Sequence, residues 1–145
     1  MAEAGVEEIT GFALAMVLGG DGGEGVGGAA WLPLGPGRAL AFAPSGSAGL
    51  AALAGPEAIV VDQSSAWRLF ALSGAGGWRV LQAGIPVDLS PAAFAPGAVV
   101  ASLIGHIGII AHHAAPGRYH LFVARSLADS LRHWLEATAA SLPDA

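Results

Sequence analysis

The sequence predicts an α+β fold in which helices pack on a mostly antiparallel sheet. Apolar runs of strand length, separated by glycine and proline turns, occupy most of the chain. The C-terminal segment instead repeats apolar residues at helical spacing. A chain of 145 residues suits one domain, which buries enough surface to fold without disulfides.

Residues 1–28 are predicted to form a short N-terminal element and a glycine-rich flexible loop. Residues 1–10 are acidic and are expected to be frayed. The apolar run Phe12–Leu18 fits either a strand or a buried helix, because its periodicity does not separate the two. Residues 19–28, GGDGGEGVGG, have the composition of a flexible loop.

Residues 29–145 are predicted to form one domain. Its expected strands are Ala29–Leu34, Arg38–Ala43, Ala58–Gln63, Trp67–Leu72, Ala98–Ile104, His106–His113 and Tyr119–Val123. A short alanine-rich helix is expected over Ser47–Leu53. A second helix is expected over Gly74–Ala83, with Ser73 as its N-cap and Gly84 at its end.

The last element is predicted to be an amphipathic helix that lies on the sheet. Ser126 stands three residues before Asp129, a spacing typical of a capping box at a helix start. The apolar stripe is expected to consist of Leu127, Leu131, Trp134, Leu135, Thr138 and Leu142.

Residues 84–97, GIPVDLSPAAFAPG, are predicted to form a structured bend, because their prolines exclude a long helix or strand. Asp88 is expected to point outward and accept a backbone N–H, as in an Asx turn. Ser90 and Pro91 should start one helical turn that Phe94 anchors. The side chains expected to face the core are those of Ile85, Val87 and Leu89.

The composition excludes several functions. Without cysteine or lysine, the chain offers no thiolate, no cysteine-based zinc site, no Schiff base and no P-loop lysine. A net charge of −5 argues against nucleic-acid binding. The apolar run Ala98–Ala111 is shorter than the ~20 residues that a membrane span needs, and no signal peptide is expected, so a cytoplasmic location is predicted.

Histidines are the first candidates for a metal site. On one strand His106 and His112 should share a face, His113 should point the other way, and His120 could approach from the next strand. Acidic partners are scarce, since no Asp or Glu occurs between Asp88 and Asp129. Solvent-facing or turn positions are therefore favoured for the five histidines, which are His106, His112, His113, His120 and His133.

Two other candidates are better explained by structure. Ser64-Ser65 lacks the sequence context of a nucleophile elbow and fits a turn between two strands. Trp78 and Trp134 have apolar neighbours at helical spacing, which favours core packing over ligand stacking. No catalytic, cofactor-binding or metal-binding residue is predicted in this chain.

A series of short motifs follows in a definite order. They are Val61-Asp62-x-Ser64, Leu72-Ser73-Gly74, Pro86-x-Asp88-Leu89, Phe94, Pro96-Gly97, Arg125-Ser126-Leu127-Ala128 and Trp134-Leu135. In order and spacing they resemble the gamma subunit of heterotetrameric sarcosine oxidase. The resemblance covers residues 31–141, while residues 1–30 match poorly and look short for the family.

This resemblance implies a fold related to the folate-binding fold of aminomethyltransferases and a non-catalytic, structural role. It implies that the partners are larger flavin-containing subunits, chiefly an alpha-like subunit. The complex would oxidatively demethylate sarcosine or a related N-methyl amine. FAD, FMN, NAD, tetrahydrofolate and zinc would all lie on other subunits, and none on this chain.

Two alternatives remain open, a pterin- or amine-binding module of the same fold and an independent hydrolase or metalloenzyme. In folate-using relatives an acidic stretch follows a glycine in the strand after the bend, whereas residues 105–110 here read GHIGII. The structural subunit is therefore favoured. A composition with 54% apolar and 12% charged residues also predicts an exposed apolar contact surface.

Overall fold

The computed structural model is an α+β protein of antiparallel strands with a C-terminal helix, which confirms the predicted class at this level. The residues that the structure describes are 4–20, 29–46, 50 and 57–142. The strands are β1 Gly5–Ile9, β2 Ala13–Leu18, β3 Ala30–Gly35, β4 Arg38–Ala43, β5 Ile59–Asp62, β6 Trp67–Ser73, β7 Val99–Ile104, β8 Ile107–Ala115 and β9 Arg118–Ala124, and the helices are α1 Gly77–Gln82 and α2 Ala128–Ser141. All seven strands predicted after residue 28 are confirmed, with small shifts at their ends.

The chain divides into two compact units. The larger unit consists of Met1–Ile9 and Trp67–Ala145, and the smaller unit of Thr10–Ala66. The predicted boundary at residue 28 stays a prediction, because residues 21–28 lie outside the described residues.

The larger unit is built on a five-stranded sheet in the order β1-β6-β9-β8-β7. Because side chains alternate along a strand, Phe70 and Leu72 of β6 share one face with Leu121 and Val123 of β9. The helices cover this face, and the fully buried Leu131 of α2 belongs to the same apolar cluster. This cluster is the main core of the unit.

The N-terminal segment is part of this sheet, so the expectation of a frayed end is wrong for residues 5–9. All five residues of β1 pair with β6. The Glu8 carboxylate accepts hydrogen bonds from Arg68, with Nη2 2.5 Å from Oε1, and from Arg132 on α2. The hydrogen bond from Arg68, together with the charges of both guanidinium groups, lowers the pKa of Glu8. The acidic residue therefore ties β1 to β6 and to α2.

The smaller unit contains a four-stranded sheet in the order β3-β4-β2-β5. The ambiguous run Phe12–Leu18 is a strand, since β2 pairs with β4 on one side and with β5 on the other. Its alternate residues Ala13, Ala15 and Val17 are buried in one apolar cluster. Most of the predicted helix Ser47–Leu53 lies outside the described residues.

The first helix begins later than predicted, and Ser73 is not its N-cap. Ser73 is the last residue of β6, and its hydroxyl accepts a hydrogen bond from Arg118 at 3.4 Å. Helix α1 begins at Gly77 with no side-chain cap. The strand thus continues through the residue that the sequence assigns to the helix start.

The second N-cap prediction is also wrong. Ser126 lies in a 3-10 turn, Arg125–Leu127, and α2 begins at Ala128 without a side-chain cap. Asp129 lies in the first turn of α2 and forms an ion pair with Arg68 at 3.4 Å instead of closing a capping box.

The predicted stripe of α2 is largely confirmed. Leu131 and Leu135 are fully buried, and Trp134 is half-buried against the core of the larger unit. Leu127 precedes the helix and is 37% exposed, while Ala128 is buried in its place. The 3-10 turn explains this shift, because it changes the direction in which residue 127 projects.

The bend at residues 84–97 has the predicted Asx turn, in which the Ser90 N–H donates to the Asp88 carboxylate at 3.0 Å. The helical turn is also confirmed, with Phe94 N–H 2.8 Å from the Ser90 carbonyl oxygen and the Phe94 ring buried. Val87 is a correction, since it is 37% exposed and only Ile85 and Leu89 face the core. The predicted alternation of core-facing and solvent-facing side chains does not hold, because this segment forms turns and not a strand.

Gln82, at the end of α1, holds this bend together and was missed in the sequence. Its Nε2 donates to the carbonyl oxygens of Val87 at 2.6 Å and Ile85 at 3.2 Å, and its Oε1 accepts the Leu89 N–H at 2.8 Å. One half-buried side chain therefore satisfies three backbone groups that no regular ladder pairs.

We expect Gln82→Ala to lower the free energy of unfolding by about 2 kcal/mol, because three backbone groups lose their partner. Chemical denaturation measures this loss. The matched control is Asp88→Ala, which removes one exposed hydrogen bond and should cost less. A Gln82→Ala midpoint equal to that of the parent would show that the amide does not hold the bend.

Candidate functional site

The histidines differ in their position and in their exposure to solvent. His106 lies in the turn before β8 and is exposed, so it does not share a strand face with His112 as predicted. His112 and His113 project to opposite faces of β8, as predicted, but both are buried. His120 lies directly opposite His112 on β9. Among the described residues no group of three or more ligating side chains could hold a metal ion.

His112 and His120 form an edge-to-face ring pair with centroids 6.0 Å apart. Burial lowers the pKa of His120 to about 4, and the Arg118 charge and His112 add to this effect. Burial also lowers the pKa of His112, with a further contribution from His113. Both rings are therefore neutral at neutral pH, and they pack against each other on this face of the sheet.

Because of the His112–His120 pair, the stability of the protein should be sensitive to acid. In the unfolded chain His120 binds a proton near pH 6.5, whereas in the folded chain it does so only near pH 4. The unfolded state therefore gains protons first, and stability falls as the pH drops through this window. We expect a loss of about 2 kcal/mol, less than the full shift implies, because the ring is partly exposed.

Denaturation of the parent and of His120→Phe across this pH window measures the effect, and the variant should show a flatter profile. The control is Phe122→Leu, on the same face of β9. This substitution should lower the free energy of unfolding by the same amount at every pH. Parallel pH profiles for the parent and His120→Phe would contradict the assignment.

Ser64 has the structural role that its sequence context favours. Its hydroxyl accepts the Leu14 N–H at 2.9 Å and donates to the Leu14 carbonyl at 3.3 Å. The Ser64 N–H donates to Asp62 at 2.9 Å. The hydroxyl therefore closes the end of the smaller sheet and is not poised as a nucleophile.

The larger unit contains a groove of about 620 Å³ between the proline bend and the β8–β9 turn. Its lining includes two glycines and the residues Ala75, Pro91, Pro96, His113, Pro116 and Tyr119. No Asp, Glu or Arg side chain occurs among these lining residues. Among the described lining residues only His113 and Tyr119 have polar side-chain atoms, so this lining is mostly apolar.

His113 is held rigidly beside this groove. Its ring is stacked on Tyr119, with centroids 4.3 Å apart and 16° between planes, and lies parallel to Phe94 at 6.2 Å. Its Nδ1 is 2.8 Å from the Phe94 carbonyl oxygen. A carbonyl oxygen only accepts, so Nδ1 carries a proton and donates it to this hydrogen bond. Nε2 is buried and has no hydrogen-bond partner within the described structure.

The burial of His113 could be predicted from the sequence, but its ring partners could not. Alternation along β8 places His113 on the same face as Ile109 and Ala111, which predicts burial. The ring partners could not be predicted, because Phe94 reaches His113 only through the bend. A buried polar atom without a partner costs about 1–3 kcal/mol.

An exposed apolar patch lies on the smaller unit, at the β5 edge of its sheet. Leu18 is directly opposite Ile59, and Met16 directly opposite Val61, so these four side chains share one face. Their exposed fractions include 61% for Ile59, 44% for Val61 and 40% for Leu18. We call these four residues the edge patch. Clustered exposure of this kind marks interaction surfaces.

The described helices are too short and too polar to cross a bilayer. The cytoplasmic location stays a prediction.

Comparison with known proteins gives a consistent set of matches. The family model described as sarcosine oxidase, gamma subunit family, matches residues 12–141. A curated relative, sarcosine oxidase subunit gamma from an Arthrobacter species, is 33% identical over 112 residues. The match covers 74% of this chain and 55% of the relative, so the chain spans about half the length of that protein.

A solved structure has the same fold. It is heterotetrameric sarcosine oxidase from Corynebacterium sp. U-96 in complex with pyrrole 2-carboxylate, with a TM-score of 0.83 at 19% identity. The match covers 100% of this chain and 89% of the matched chain. The family match also begins at residue 12, so it extends further toward the N-terminus than the predicted resemblance over residues 31–141.

Proposed function

The chain belongs to the sarcosine oxidase, gamma subunit family, and from this membership we propose that it is a non-catalytic structural subunit of a sarcosine-oxidase-like complex. The family match over residues 12–141 carries the proposal. The complex would oxidatively demethylate sarcosine or a related N-methyl amine. Flavins and the other cofactors would lie on larger partner subunits, chiefly an alpha-like one.

The edge patch supports a partner-binding role. Its side chains are apolar, three of the four are exposed, and its strand β5 is at the edge of the sheet. Burying such side chains against a partner is favourable by about 25 cal/mol for each Å² of apolar surface. We propose that a larger subunit of the complex covers the edge patch.

The non-catalytic part of the proposal rests on the side chains available. The chain lacks the lysine and cysteine nucleophiles, and Ser64 is held by backbone groups. The relation to the folate-binding fold of aminomethyltransferases stays a prediction, as does the pterin- or amine-binding alternative.

A charge placed in the edge patch tests the proposal. We expect Ile59→Lys to reduce co-purification with the flavin-carrying subunits at least tenfold, because a lysine would be desolvated in the contact. Affinity capture after co-expression, with gel filtration, measures the loss. The matched control is Ala66→Lys, an exposed position outside the patch, which should co-purify as the parent does.

Two results would contradict this account of the interface. Ile59→Lys could co-purify as well as the parent, which would place the contact elsewhere. Alternatively, the parent could fail to co-purify with any flavin-carrying subunit, which would remove the basis for the subunit role itself.

A further inference from the structure

We propose that an extended segment of the larger partner subunit pairs with the free edge of β5 as an added strand, and that this segment has a basic side chain close to Asp62. This mode of binding rests on the subunit role proposed above and specifies how the partner covers the edge patch. It differs from a contact between apolar side chains alone, because backbone groups of β5 take part in it.

Strand β5 is exposed on both of its faces and along one edge. It pairs with β2 on one side, and among the described residues no strand pairs with its other side. Ile59 and Val61 belong to the edge patch, and Val60, which projects to the opposite face, is 40% exposed. Exposed apolar edge strands of this kind are templates for pairing with another chain.

The backbone of β5 directs hydrogen-bonding groups toward this free edge. The Gln63 N–H donates to the Leu14 carbonyl at 2.8 Å, which makes these two residues a hydrogen-bonded pair of the ladder between β2 and β5. Bonded and non-bonded pairs alternate along an antiparallel ladder, so Val61 is bonded to β2 and its two neighbours are not. Val60 and Asp62 therefore point their N–H and C=O groups away from β2, where an added strand would meet them.

The opposite edge of the same sheet is protected against strand addition. Strand β3 contains Pro33, which has no N–H to donate, and its pairing with β4 shifts register between Pro33 and Gly35. Strand β5 has no proline and no basic residue, and its register with β2 is continuous. Of the two edges of this sheet, β5 is therefore the one suited to accept a strand.

The charges around β5 favour a basic partner segment over a second copy of this chain. Asp62 ends the strand, Glu57 precedes it, and residues 57–66 include no lysine, arginine or histidine. The hydrogen bond from the Ser64 N–H lowers the pKa of Asp62, so this side chain is charged at neutral pH. Two antiparallel β5 strands with Val60 opposite Val60 would bring Asp62 of each copy close to Glu57 of the other, and like charges at this range oppose pairing. A lysine or arginine in the added strand would instead be attracted to Asp62.

Proline at residue 60 separates strand addition from a contact through side chains alone. Val60→Pro removes an N–H that points away from β2, so the ladder between β2 and β5 keeps its hydrogen bonds. After co-expression with the flavin-carrying subunits, we expect Val60→Pro to reduce co-purification about tenfold. The matched control is Val60→Ala, which shortens the side chain but keeps the N–H, and it should reduce co-purification much less. Urea denaturation of both variants checks that the fold is retained.

Amide hydrogen exchange gives a second measurement that needs no substitution. In the free chain the N–H groups of Ile59 and Val61 should exchange slowly, because they are bonded to β2, while those of Val60 and Asp62 should exchange fast. In the purified complex the N–H groups of Val60 and Asp62 should exchange slowly as well. Asp62→Asn keeps an acceptor for the Ser64 N–H but removes the charge, and it should reduce co-purification severalfold.

The outcomes distinguish this mode of binding from the subunit role. Equal co-purification of Val60→Pro and Val60→Ala, or fast exchange of the Val60 and Asp62 N–H groups in the complex, would overturn strand addition and leave the subunit role intact. Unchanged co-purification of Asp62→Asn would overturn the basic residue in the added strand. A parent chain that captures no flavin-carrying subunit would remove the subunit role, and this mode of binding with it.

Discussion

Truncating the apolar stripe of the C-terminal helix should destabilise the protein strongly. We expect Leu131→Ala to lower the free energy of unfolding by about 3 kcal/mol, because Leu131 is fully buried in the core of the larger unit. Trp134→Ala should cost about 3 kcal/mol as well, at the low end for an aromatic truncation, since this ring is half-buried. Equilibrium denaturation with urea measures both.

The control for these truncations is Leu127→Ala, just before the helix. Leu127 is 37% exposed, so its truncation should cost less than about 1 kcal/mol. If all three substitutions lowered stability equally, the stripe would not be the contact between α2 and the sheet.

Gly84→Ala should destabilise the protein through a steric clash. A Cβ at residue 84 would lie 2.5 and 2.9 Å from ring atoms of Trp134, and 3.2 Å from the Ile104 methyl group. The ring cannot shift freely, because it packs against the core. Overpacking of this kind costs about 1–3 kcal/mol.

Whether Gly84→Ala destabilises the protein should depend on the presence of the Trp134 ring. Gly84 does not have a positive φ angle, so alanine is compatible with its backbone. In a Trp134→Ala background the ring clash is absent and only the 3.2 Å contact with Ile104 remains, so Gly84→Ala should be close to neutral, because it also restricts the unfolded chain. A double-mutant cycle measures this coupling. Additive losses would contradict the contact between Gly84 and Trp134.

The strands were predictable because each apolar run is bounded locally by glycine or proline. Strand β1 was not predictable from its own residues. Its acidic Glu8 is paired with Arg68 and Arg132, which are 60 and 124 residues away. The two N-caps failed for a related reason. A hydroxyl beside an apolar run predicts a cap, but Ser73 instead remains in a strand and accepts a hydrogen bond from Arg118.

The candidate site was less predictable than the fold. Asp88 and Phe94 in the bend follow from local turn chemistry, and both predictions are confirmed. Gln82 was missed because its partners are backbone atoms, which leave no mark in a hydrophobic pattern. His113 was expected near solvent, but its neighbours in space are the aromatic rings of the bend and the next strand.

The structural, non-catalytic role is tested most directly by one co-expression measurement. This chain is captured together with the larger flavin-carrying subunits, and the native mass and visible absorbance of the product are recorded before and after the chains are separated. We expect a hetero-oligomer with a flavin spectrum, from which this chain separates colourless and without oxidase activity. A monodisperse monomer that captures no partner, or flavin that remains on this chain after separation, would contradict the account.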